Sequence, residues 1–184
     1  MINKTLAILA GGQSSRMNYN NKALLKYKEK TFIEQIIRAG SGYKEIIIIA
    51  NNEDIYKEFN LRVVGDIYNG HGPLGGIHAA LTNSSTEYCL CIACDMPLIS
   101  EEILDILGSF EDDYEVLVPK VNNRLQPLCA IYKKTIINDI EKSLKVNDNQ
   151  IQKLILSLEC KAVEGLPYRE FYNINTLEDY NNLR

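Results

Sequence analysis

The chain has 184 residues and 20.9 kDa, enough to bury a core without disulfide or metal staples and short enough for one domain over 1–184. A formal net charge of −4 and a sequence pI near 5.3 exclude a basic stripe for DNA or RNA, so no nucleic-acid partner is expected. No window is apolar for long enough to span a bilayer, and the five cysteines are an odd set without export features; reduced thiols, a cytoplasmic location and no membrane contact are expected.

In chain order, "TLAILA" (5–10) is an apolar run too short for a secretory signal, and it predicts a first buried strand. It opens into "GGQSSRMNYNNK". There Gly11 and Gly12 lack Cβ atoms, so the backbone can turn tightly or approach a ligand. The amides from Gly11 to Ser15 can form an anion-binding nest, to which Arg16 and Lys22 add two cations. The loop lacks both the Gly-Lys-Ser/Thr ending of a Walker A loop and the G-x-G-x-x-G of dinucleotide folds.

"TFIEQIIRAG" predicts a helix capped by Thr31 and ending near Gly40. "EIIIIA" (45–50) has no polar alternation, as expected of a parallel strand covered on both faces. "LRVVGD" (61–66) predicts another strand, and "GPLGGIHAALTN" a helix with Pro73 in its first turn and Leu74, Ile77, His78 and Leu81 on one face. A strand follows at 88–93, a capped helix at 100–110, strands at 115–119 and 127–132, and helices at 134–145 and 150–158. "REFYNINTLEDYNNL" predicts a final strand–helix unit. The fold class is α/β: a single-domain, mostly parallel, doubly wound sheet flanked by helices, with ligands beyond the carboxyl ends of the strands.

"CLCIACDMP" (89–97) places three cysteines before an aspartate. On a strand, Cys89 and Cys91 face one way and Cys94 the other, so the thiolates cannot converge on one tetrahedral metal; they read as buried core residues. Asp95 is different. It follows the strand where a parallel sheet opens onto its ligand crevice, and one carboxylate there suits a hard cation such as Mg²⁺. A turn aspartate or helix cap is the competing assignment.

Together, "LAGGQSSRMNYNNKALL", "GDIYNGHGPLGGIHAAL", "CDMP", "QPLCAIY" and "NINTLEDY" resemble, in order and spacing, the molybdenum cofactor guanylyltransferases of the wider nucleotidyltransferase group. The resemblance runs from residue 6 to residue 180. It implies that Leu9, Ala10, Gly11 and Gly12 line the nucleotide and that Arg16 and Lys22 meet its phosphates. It also implies that Asn51 and Asp66 lie on the nucleotide side and that Asp95 holds Mg²⁺. Gln126, Asn173 and Asn175 are implied to face the acceptor. Asn18 stands where the family usually has glycine, and Leu177 where it has proline.

The implied reaction is attack by the terminal phosphate of molybdopterin on the α-phosphorus of GTP, with release of pyrophosphate. That nucleophile is already ionised, so positioning and charge stabilisation suffice without a general base. Contact with a molybdopterin insertion protein is implied by the resemblance alone. CTP in place of GTP and a nucleotide-binding regulator without activity are the competing functions; an iron–sulfur or redox role ranks last.

Overall fold

The computed structural model describes residues 1–11 and 21–183. Strand β1 (Ile2–Leu9) runs through the middle of the molecule and is buried from Thr5 to Leu9. Its alternating side chains serve two layers: Leu6 and Ile8 join one core cluster, while Ala7 and Leu9 join the other. Both neighbours, β4 (Tyr43–Ile49) and β6 (Tyr88–Ala93), pair with it in parallel. The apolar run of β4 has the physical basis expected of a strand covered on both faces: Ile48 packs into one cluster and Ile47 and Ile49 into the other.

The sheet order is β10–β7–β9–β6–β1–β4–β5, with β5 at Arg62–Val64, β7 at Val116–Val121, β9 at Cys129–Lys133 and β10 at Cys160–Val163. The short β8 (Arg124–Leu125) pairs with β7, and β2 (Lys26–Tyr27) and β3 (Lys30–Thr31) form a separate antiparallel pair. Strand β9 is antiparallel to both β6 and β7, and the other pairings along the order are parallel. The chain leaves β1 toward β4 and β5, then crosses to the other side for β6. The switch point, where such sheets bind ligands, therefore lies at the ends of β1, β4 and β6.

Helices α1 (Phe32–Ala39) and α3 (Glu101–Gly108) cover one face, and α2 (Gly72–Asn83), α4 (Ile137–Lys145) and α5 (Ile151–Leu156) the other. Thr31 caps α1 in a reciprocal box: its hydroxyl accepts from Glu34 N at 3.3 Å, and Glu34 Oε2 accepts from Thr31 N at 2.6 Å. Ser100 caps α3, accepting from Ile103 N at 3.3 Å. Cys89 and Cys91 are fully buried facing α2 and α4, whereas Cys129 and Cys94 belong to the opposite layer. Among the described residues, no helix is long and apolar enough to cross a membrane.

The carboxyl-terminal part departs from the pattern read in the sequence. Residues 168–171 form a 3₁₀ turn, not a strand, and the last strand is β10, whose half-exposed Cys-Lys-Ala-Val has too little apolar character to stand out. The final helix, α6 (Leu177–Leu183), is present but buries none of its residues. The helix expected over 150–158 is shorter, at Ile151–Leu156.

Helix α2 is buried at every position from Leu74 to Leu81, because small residues let its backbone approach its surroundings. A Cβ on Gly75 would lie 2.7 Å from the Tyr68 carbonyl oxygen. Gly75→Ala should therefore destabilise by about 1–3 kcal/mol. An unhindered glycine-to-alanine change within a helix would instead stabilise by roughly 0.5–1 kcal/mol. Urea unfolding reads the sign directly, and a stabilised variant would contradict the close approach.

Candidate active site

The ends of β1, β4 and β6 enclose a cleft of about 180 Å³ lined by Leu9, Ala10, Gly11, Lys22, Asp66 and Asp95, with the start of α2 at its wall. Backbone hydrogen bonds continue the sheet one step into it: Ala10 N donates to Ile49 O at 2.9 Å, and Cys94 N to Leu9 O at 3.1 Å. The cleft floor is thus held by the sheet rather than by loop packing. Gly11 has neither a positive φ nor a packing need for glycine. A Cβ there would meet Ile49 O at 3.6 Å and Asp66 Oδ2 at 3.9 Å, both ordinary contacts. What the missing side chain leaves open is the cleft itself, as close backbone approach to a ligand requires.

Gly12 and Arg16 lie outside the described residues. On the far side of that segment, Lys22 begins a 3₁₀ turn capped by Asn21, whose side chain accepts from Ala23 N at 3.0 Å. Asn21 Nδ2 donates to the Tyr56 hydroxyl at 2.9 Å, and that hydroxyl donates to Ala10 O at 3.2 Å. The buried Tyr56 therefore joins the end of β1 to the start of the Lys22 turn. Neither Asn21 nor Tyr56 stands out in the sequence: one lies in an asparagine run, the other in a charged 3₁₀ segment without apolar periodicity.

Lys22 Nζ stands 3.3 Å from Asp95 Oδ2 and donates to Asn175 Oδ1 at 2.9 Å. Both partners of the ion pair are only 17% exposed at the side chain. The second Asp95 oxygen, Oδ1, is buried without a hydrogen-bond partner among the described residues. Burial pushes the Asp95 carboxyl above its ordinary range, and the Lys22 ammonium opposes that shift only in part. An unpartnered, desolvated carboxylate oxygen beside a cleft fits a hard cation, which takes one or two carboxylates and completes its shell with water and phosphate oxygens. Among the described residues, no group of three or more His, Cys, Asp or Glu could hold a metal.

Asp66 faces the cleft from the other side, with Oδ1 also buried and without a partner among the described residues, and its carboxyl raised by burial. Asn51 supports this wall rather than lining the cleft: its Oδ1 accepts from Asp66 N at 2.8 Å, and its Nδ2 donates to Asn69 Oδ1 at 2.9 Å. Neighbouring Asn52 caps the 53–59 segment. Gln126 lies in the turn between β8 and β9, its backbone bonded to Pro119 and Cys129. Asn173 turns its amide to the Phe171 carbonyl at 3.3 Å, while Asn175 alone of the three acceptor candidates touches Lys22.

The Cys94 thiol also lines the cleft, but burial pushes its pKa up to about 12, so it is a neutral wall. His71 lies 3.1 Å from Asn149 Oδ1 and His78 3.3 Å from Glu141 Oε1, and neither lines the cleft. The site is therefore suited to binding and neutralising anions at a helix start and a lysine, without a histidine base.

A switch-point cleft left open at Gly11, with one held lysine and two desolvated carboxylates, defines a nucleotide-handling α/β protein. Residues 6–161 match the family model described as the MobA-like NTP transferase domain. A probable molybdenum cofactor guanylyltransferase of Clostridium perfringens is 53% identical, over 100% of this chain and 97% of that protein. Its counterpart in Carboxydothermus hydrogenoformans is 37% identical over 100% and 96%. The molybdopterin-guanine dinucleotide biosynthesis protein A of Archaeoglobus fulgidus shares the fold with a TM-score of 0.82 at 23% identity, over 97% and 96% of the two chains. The CMP:2-keto-3-deoxy-manno-octonic acid synthetase complexed with CTP shares it at 0.75 and 12% identity, over 98% and 97%. The chain belongs to the MobA-like NTP transferase family and is a nucleotidyltransferase.

Because burial raises the Asp95 carboxyl, this group favours folding fully only below its unfolded pKa, near 3.8, and loses that contribution as pH rises through the higher folded value. Asp95→Asn should melt with the wild type near pH 3 and above it at pH 7. Coincident melting across that range would show that the carboxylate carries no electrostatic cost.

Proposed function

We propose that the protein transfers GMP from GTP to the terminal phosphate of molybdopterin, forming molybdopterin guanine dinucleotide and pyrophosphate. The observation that carries this reading is Lys22 held between Asp95 and Asn175, at the mouth of a cleft whose backbone leaves room at Gly11. The guanylyltransferase names of full-length relatives support the choice of GTP and molybdopterin.

In this reading Leu9, Ala10 and Gly11 cradle the nucleotide, and the unpartnered Asp66 oxygen accepts from its base or ribose donors. Lys22 draws the triphosphate against the end of β1 and neutralises charge on the phosphate that is attacked. Asp95 would hold Mg²⁺, which when bound supplies further neutralisation of the phosphate oxygens. Asn175 fixes the Lys22 ammonium, so its charge is in place before the reaction begins. Arg16, Gln126 and Asn173 are assigned to phosphate and acceptor contacts by family resemblance, and Asn51 to shaping the Asp66 wall.

The acceptor phosphate attacks the α-phosphorus, its oxygen forms the new P–O bond, and the α–β bridging bond breaks to release pyrophosphate. The nucleophile enters ionised, so no side chain needs to remove a proton.

Pyrophosphate release with GTP, molybdopterin and Mg²⁺ tests the assignment. Asp95→Ala should lower turnover by at least about 10²-fold with the fold intact. Lys22→Ala should lower it by roughly 10–10²-fold, more in rate than in stability. Preferential release from CTP would replace GTP as donor, and nucleotide binding without release would make the protein a regulator. Normal turnover in Asp95→Ala would remove Asp95 from the reaction.

A further inference from the structure

Asn175 is exposed, and an exposed amide holds a lysine only if its own backbone is fixed. From one side, Ile174 fixes it: its side chain is fully buried and its N–H donates to Asp95 O at 2.9 Å. From the other side the fixing group is Asp179. Its Oδ2 accepts from Asn175 N at 2.9 Å and Thr176 N at 2.8 Å, while Oδ1 accepts from the Tyr172 hydroxyl at 3.0 Å. Helix α6, which carries Asp179, has no buried residue and owes little to the core. It is tied instead to the segment after Lys22: the Tyr180 hydroxyl donates to Lys26 O at 2.7 Å, and the Tyr180 ring meets Phe32 edge-on with centroids 6.0 Å apart.

We infer that Asp179 is a positioning residue: it holds the Asn175 backbone so that the amide oxygen keeps the Lys22 ammonium at Asp95. No atom of Asp179 lines the cleft, so it acts through Asn175. The role in turnover rests on the reading of Lys22 and Asp95 given above. A helix cap alone would explain the bonds to Asp179, but it would change stability and leave Lys22 untouched. Thr176→Ala separates the two, because it removes only the return bond from Asp179 N to Thr176 Oγ1, at 3.0 Å.

Two measurements on the full-length protein decide the matter. In steady-state transfer, Asp179→Ala should lower kcat by roughly 10–10²-fold with a small change in the KM for nucleotide. It should cost nothing further in an Asn175→Ala background, as expected for residues acting in series. Thr176→Ala should stay within about twofold of the wild-type kcat. Amide hydrogen exchange gives a readout independent of the reaction. Asp179→Ala and Asn175→Ala should each speed exchange at Leu24 and Leu25, which bond back to Asn21 and Lys22, by roughly tenfold. Unchanged exchange at Leu24 and Leu25, or a full multiplicative loss of kcat in the double variant, would overturn the inference. A wild type that transfers nothing would refute the proposed function, and the exchange data would still decide whether Asp179 holds Lys22.

Discussion

Strand β1 has to be covered on both faces and paired in parallel on both edges, and most of the molecule follows from that constraint. Such a strand is apolar from Leu6 to Leu9, its one fully buried polar side chain, Thr5, being hydrogen-bonded to Glu45 and Thr86. It opens onto the cleft at Ala10 and Gly11. Because β4 and β6 run alongside in the same direction, their ends arrive at the same rim, bringing Ile49, Asp66 after β5, and Asp95 within reach of one ligand. Ladder hydrogen bonds reaching past the strand ends keep this rim rigid.

The electrostatics of the rim oppose its stability. Two carboxylates are partly desolvated, each with an oxygen that finds no partner among the described residues, and one lysine is shared between Asp95 and an amide. In a core built for stability alone, such oxygens would be paired or replaced by apolar atoms. Their retention makes sense where a ligand supplies the missing partners. The cysteines show the opposite case: they sit in the same strand or beside it, yet burial keeps Cys94 protonated and packs Cys89 and Cys91 as small apolar residues.

The parts legible in the sequence were those governed by strong local rules. The unbroken "EIIIIA" run announced a doubly covered strand, Thr31 a helix cap, and Pro73 a helix start. Alternation along 89–94 also separated the cysteines from Asp95 before any coordinates. Strand β10 was hidden because an edge strand with Cys160 and Ala162 exposed has no apolar signature, and the aromatic "REFY" mimicked one. The bond from Tyr56 to Ala10 joins residues far apart in the chain and leaves no spacing to read. Asp179 had a faint signal, since Thr-x-x-Asp is the spacing of a capping box, but its hold on Asn175 emerges only in three dimensions. Asn51, implied by resemblance to lie on the nucleotide side, has its side chain committed to the Asp66 wall.

The reversal of β9 divides the sheet into two halves with different freedoms. Strands β1, β4, β5 and β6 deliver their carboxyl ends to the cleft, so any change in their following turns disturbs the bonds that set the rim. Strand β9 instead arrives there by its amino end, with Leu128 on the cleft and the β8 turn just before it. Insertions or replacements between Val121 and Leu128 reshape that side without moving a ladder bond at the ends of β1 and β4. The fold thus joins a rim fixed by sheet hydrogen bonds to one whose outline a loop can redraw.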